Sequence, residues 1–162
     1  NYNRDVDAFP SIQRRIRDQF IQYWSEAITT SPKLHQYAKY KISFEFESYL
    51  HNIKNDTLRK LMTRFRISCH DLAIETGRYQ WIDRNDRICL ICNTNVVESE
   101  YHFLCICTTY TDIRYKFNIR SVWPNTNKFD SMISSTNRTV QLNIAKFIRD
   151  ASRRRQEILK EI

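Results

Sequence analysis

Arg87-Ile-Cys-Leu-Ile-Cys92, followed after a short polar stretch by Glu98-Ser-Glu-Tyr-His-Phe-Leu-Cys-Ile-Cys107, carries three cysteines and a histidine in the spacing C-x2-C-x9-H-x4-C. Two cysteines with two residues between them present both sulfurs on a tight turn. A histidine and a cysteine with four residues between them fall in the gap that lets a helix end give two ligands to one ion. Cys89, Cys92, His102 and Cys107 therefore form a closed tetrahedral set for one zinc ion. Cys105 is a rival for the fourth place, because on a helix it shares a face with His102. Its two-residue gap is shorter than usual zinc-finger spacing, which favours Cys107 and leaves Cys105 as a small buried hydrophobe between Leu104 and Ile106. A redox reading of Cys89 and Cys92 needs a βαβ framework, which the rest of the chain does not offer. Four protein ligands leave no position for water or substrate, so the expected zinc is structural and the chain is read as not an enzyme.

Around this cluster the composition points to helices. The chain has 162 residues, with one glycine and three prolines, too few for the many turns of an all-β fold. Aromatic residues make up 13%, enough for a core despite 27% charged residues. No apolar run reaches the roughly 18 residues of a membrane helix, and no secretory signal opens the sequence, so a soluble protein is expected. The first residue is Asn1, which suggests a piece of a longer polypeptide. Lys and Arg number 26 against 18 Asp and Glu, a formal charge of +8 that favours polyanionic partners.

Residues 1–10 read as a flexible lead-in ending at Phe9-Pro10. A helical domain is expected over 11–78. Its first helix, capped by Ser11, carries Ile12, Ile16, Phe20, Ile21, Trp24 and Ile28 at helical spacing and stops near Ser31-Pro32. Asn55-Asp56 caps another, turning Leu58, Leu61, Met62, Phe65 and Leu72 inward, with Gly77 as its natural stop. The zinc module spans 79–109 as a short hairpin followed by a helix from Glu98–Glu100 through His102 and Leu104. Residues 110–162 supply C-terminal helices: one over Tyr110–Ile119 ended by Trp123-Pro124, a short turn from Lys128 to Ile133, and a last helix with Val140, Ile144, Phe147, Ile148, Ala151, Ile158 and Leu159 on one stripe. The expected fold class is mainly α, an irregular helix bundle bearing a small zinc-stabilised hairpin-plus-helix. Cys69, His70 and Asp71 do not make a nucleophile pair, since neighbours on a helix diverge by about 100°.

The run Arg64-Phe-Arg-Ile-Ser-Cys-His-Asp-Leu-Ala-Ile-Glu-Thr-Gly-Arg-Tyr79, together with the two cysteine segments, resembles the C-terminal region of reverse-transcriptase polyproteins of LINE-type (non-LTR) retrotransposons, of the type common in invertebrates. The likeness extends over roughly residues 10–150, and the zinc segment is its most specific part. It implies a CCHC zinc knuckle with Cys89, Cys92, His102 and Cys107 as ligands. It also implies a domain downstream of the polymerase that helps bind template RNA or target DNA. The partners so implied are RNA and/or DNA and the rest of the parent polyprotein, with no membrane and no small-molecule substrate. The expected location is intracellular, nuclear and/or cytoplasmic. Thr108 stands where the family often has proline, a departure that touches no ligand. The Tyr-x-Asp-Asp-like turn of the polymerase and any endonuclease signature are absent from the sequence.

The candidate nucleic-acid contacts are Arg59, Lys60, Arg64 and Arg66 before the knuckle and Arg78, Arg84 and Arg87 leading into it. Tyr79 and Trp81 among these arginines either stack on unpaired bases or fill a small satellite core. The terminal run Arg153 to Arg155 is diluted by Asp150, Glu157 and Glu161 and reads as solvated face. An alternative function is a zinc-stapled protein-interaction module, such as a retroelement remnant put to another use.

Overall fold

Helices account for the regular structure over residues 8–119 and 126–161, which the computed structural model of the chain describes. The chain divides into two compact units at Phe46/Glu47, so the break falls inside the stretch 11–78.

In the first unit, α1 (Ala8–Thr30) already includes Phe9 and Pro10. Proline is tolerated there because the first turn of a helix has no partner for its N–H. Ser31-Pro32 ends α1 as expected, and a 3-10 turn (Pro32–Leu34) leads into α2 (His35–Tyr40). The following segment brings Phe44 edge-on to Phe20 and Trp24, at 5.3 and 5.4 Å between ring centres. The helical spacing is confirmed, but the burial expected from it holds only toward the C-terminal end: Ile28 is buried and Ile21 and Trp24 are half-buried, whereas Ile12, Ile16 and Phe20 are exposed, as are Phe9 and Tyr23.

The second unit holds α3 (Ser48–Asn52), α4 (Asp56–Arg66), α5 (Ala73–Tyr79), α6 (Thr111–Lys116), α7 (Thr126–Ile133) and α8 (Arg138–Glu161). Asn55 caps α4 by accepting from the Leu58 N–H at 3.0 Å. Leu58, Met62 and Phe65 are buried on α4, and Ile144, Phe147, Ile148 and Ala151 on α8, the helix it packs against. Phe103 completes this core, its ring 5.0 Å from Tyr110, 5.6 Å from Phe147 and 6.0 Å from Phe65. Trp123-Pro124, read as a helix end, lies outside the described residues.

Helix α4 stops well before Gly77. The N–H groups of Cys69 and Ser68 bond back to the carbonyls of Arg64 and Phe65, closing a Schellman motif with Ser68 in the left-handed region at φ 51°. The same motif ends α6, with Asn118 at φ 52°. Gly77 instead sits inside α5, where a Cβ would fall 2.7 Å from Cγ of Arg87. The glycine makes room for a crossing arginine.

The expected hairpin is reduced to an isolated antiparallel bridge, Ile88 to Val97, and no strand forms among the described residues. Asn93 and Asn95 both take left-handed φ, at 49° and 52°, so the chain turns too tightly for a ladder to extend. The helix after it begins at Glu100, with Ser99 Oγ accepting from the His102 N–H at 3.1 Å. It then widens into a π turn, His102–Ile106.

Candidate metal centre and its flanking surface

The ligand atoms of Cys89, Cys92, His102 and Cys107 all lie within 4.8 Å of one another, close enough to hold one metal ion. Cys89 and Cys92 come from the tight turn that the Cys89 N–H to Val96 carbonyl bond (2.8 Å) closes. His102 opens the π turn and Cys107 caps it. An α-helix closes bonds four residues apart, whereas here the Cys107 N–H reaches the His102 carbonyl five residues back, at 2.8 Å. The wider ring carries position 107 under position 102, and Cys105 is left fully buried outside the cluster. The choice that spacing left open falls to Cys107.

The donor set fits a zinc ion. His102 Nε2 lies 3.4 Å from Cys92 Sγ, against roughly 3.5 Å for a nitrogen and a sulfur on one tetrahedral zinc. His102 is 1% exposed, and its Nδ1 is buried with no hydrogen-bond partner among the described residues. The Cys89 and Cys107 thiols hydrogen-bond each other. Cys89 is pushed up to about 12, first by its hydrogen bond to Cys107 and then by burial, while that bond holds Cys107 below the ordinary thiol value. Metal must displace these protons to bind.

Four polar residues that hold the cluster in place are not legible as such in the sequence. Glu98 is 1% exposed and grips the Arg155 guanidinium with both oxygens, at 2.7 and 2.8 Å, while Oε2 also accepts from the Ala73 N–H at 2.6 Å. The run containing Arg155 was read as solvated, yet this member is buried. Its spacing on the stripe with Ile144, Ile148 and Ala151 was the available signal. Arg154 also reaches back, donating to the Thr109 carbonyl at 3.0 Å. Glu100 accepts from Ser68 Oγ at 2.7 Å and pairs with His70 Nε2 at 3.1 Å, tying the loop after α4 to the cluster.

The basic residues separate into two groups. Arg66, expected on a phosphate-binding face, is instead 4% exposed: it pairs with Glu47 at 2.9 Å, bonds the Ile133 carbonyl and lies over the Tyr49 ring. Arg87 is likewise structural, donating to the carbonyls of Ile82 (2.9 Å) and Ile74 (2.8 Å). Helical spacing puts Arg66 on a basic face but does not say which face is inward, and Arg87 lies beyond α5 in no helix, where spacing gives no face at all. Arg59 and Lys60 share Asp56, at 2.8 and 2.7 Å. Arg64 donates through Nε to the Cys69 carbonyl at 3.2 Å and stays exposed, as does Arg84. Arg78 bonds Glu75 and lies over the Tyr79 ring at 4.5 Å.

Tyr79 and Trp81 are both exposed, Trp81 to 94%. They fill no satellite core. Trp81 also stands at the position after the α5 cap where helices favour glycine. The Ile82 N–H bonds the Gly77 carbonyl at 3.0 Å, and Trp81 takes φ 58°.

No helix among the described residues is long and apolar enough to cross a membrane. Set beside models of protein families, curated proteins and solved structures, the chain matches none of them.

Proposed function

We propose that the chain is a non-catalytic nucleic-acid-binding domain whose zinc is structural, acting as an accessory to a retroelement reverse transcriptase. The observation that carries this reading is Trp81. A left-handed backbone at a residue with a Cβ costs about 1 kcal/mol, and exposing an indole forgoes its burial. A chain that accepts both at one position, beside a second exposed aromatic ring and its stacked arginine, presents flat faces to unpaired bases. Arg64, Arg84 and the less committed Lys60, Arg59 and Arg78 supply charge for phosphates.

Zinc in this reading holds four protein ligands, Cys89, Cys92, His102 and Cys107, and its binding energy stabilises the loop around the bridge and the turn that follows. With no ligand position open, it activates no water. The chain's own residues bind and orient the strand: aromatics by stacking, arginines by phosphate contact.

The test is titration of single-stranded RNA and DNA oligonucleotides across salt concentrations. If about three phosphates are neutralised on a single strand, log affinity falls with log salt at a slope of roughly −2. Arg84→Ala should flatten the slope, and Trp81→Ala should weaken binding without changing it. No binding at low salt by the zinc-loaded chain would sink the reading.

A second reading, a protein-interaction module, is favoured by the exposed apolar row Phe9, Ile12, Ile16, Phe20 and Tyr23 on α1. It takes over if nucleic acid does not bind.

A further inference from the structure

Arg114, on α6, is buried to 5% exposure. Its Nη2 donates to the Cys107 carbonyl at 2.6 Å and to Thr111 Oγ1 at 3.1 Å, while Nη1 is buried with no hydrogen-bond partner. Among the described residues the two other buried arginines each have a carboxylate, Glu98 for Arg155 and Glu47 for Arg66. Arg114 forms no ion pair among the described residues. Asp112, two positions earlier, is held by Arg154 through both of its oxygens, at 2.5 and 2.8 Å. Burying a guanidinium without a countercharge costs several kcal/mol, so an anion is called for.

The metal cluster is placed to be that anion. One zinc ion with three thiolates and a neutral imidazole carries a single net negative charge. We infer that Arg114 is the counter-cation of the zinc–thiolate centre, balancing its charge and fixing the backbone that presents the Cys107 sulfur. The inference rests on the zinc reading above. Arg114 is then a positioning residue for the metal. The loaded centre gains a neutralising partner, and the buried arginine gains an anion beyond Asp112, whose carboxylate acts on it only from a distance and is bound to Arg154. The cation and the centre stabilise each other, so zinc affinity depends on a side chain that is not a ligand.

The full chain tests this, with the zinc dissociation constant read by competition against a chromophoric chelator and cobalt absorption as the signature of thiolate coordination. Arg114→Met keeps an unbranched stem without the charge and should weaken zinc by about 10- to 100-fold. Arg114→Lys should recover most of that loss. Cys92→His makes the ligand set neutral with zinc, and in that background Arg114→Met should cost less than about threefold, whereas a purely packing role would cost the same in both. If Arg114→Met does not fold, the wild-type chain decides: zinc loading should slow exchange of the Arg114 guanidinium protons in nitrogen-edited spectra. Unchanged exchange, an equal cost in both backgrounds, or a lysine variant no better than methionine overturns the inference. A wild-type chain that takes up no zinc overturns the zinc reading and this one with it, a result distinct from loss in the variants alone.

Discussion

The backbone N–H of Cys107 donates to the carbonyl of His102 at 2.8 Å, and this bond across five residues sets the fourth ligand beneath the third. Cys107→Ser should therefore abolish tight zinc binding, while Cys105→Ser keeps one zinc per chain. Cys105 is buried and its thiol is pushed up to about 12 by that burial, so it stays protonated and acts as a small hydrophobe. Metal content of the purified variants and their cobalt spectra check this. Loss of metal in Cys105→Ser alone would move the ligand.

Chelation should release residues 89–96 while α4 and α8 remain protected. Leu90 and Val96 in that loop are exposed, so little besides the metal holds it, whereas Phe103 anchors the following turn among Phe65, Tyr110 and Phe147. Hydrogen exchange with and without chelator reads the difference. Uniform loss of protection would mean a single cooperative unit.

Trp81→Gly should raise stability by about 1 kcal/mol, because glycine takes φ 58° without strain. The same change should weaken binding of single strands. Denaturant midpoints and oligonucleotide titrations, run on one preparation, should move in opposite directions.

Arg66→Ala should lower stability by about 3 kcal/mol, since it breaks the ion pair to Glu47 and removes the buried bond to the Ile133 carbonyl. Measured under conditions where the variant is folded, the salt slope of nucleic-acid binding should not change. A flatter slope would place this guanidinium on the binding surface after all.

Asp150 predicts a pH effect. Burial works to raise its pKa, but Arg149 and Lys116, each 2.8 Å away, bring it below the ordinary carboxylate value. A depressed folded value means the stabilisation is present above the unfolded pKa of about 4 and is lost as pH falls through the folded value. Both cations are largely exposed, so the pair is worth about 1 kcal/mol or less. Asp150→Asn should remove that part of the acid-side loss in thermal melts between pH 2 and 5.

The sequence reads well where one residue type has one physical use. The ligand spacing pointed to four side chains that the fold brings together, and the apolar period of α8 located Ile144, Phe147, Ile148 and Ala151 in the core. It reads poorly where a residue has two uses. Arginine serves as a phosphate contact or as an internal tie, and Arg66, Arg87 and Arg155 are ties because distant carbonyls and carboxylates meet them. Gly77 looked like a helix stop, but the partner that demands it, Arg87, is ten residues away. Ser68 ends α4 although nothing about serine marks it for a left-handed backbone.

The Glu98 to Arg155 pair has a consequence for the order in which the chain matures during synthesis. Glu98 leaves the ribosome long before Arg155, and until the arginine follows, a carboxylate destined for burial has no cation to meet it. The nascent loop can gather its cysteines early, yet it settles against the rest of the unit after α8 has emerged. A pause in translation ahead of Arg155 would leave the Glu98 carboxylate in water and the loop unpacked until the arginine emerges.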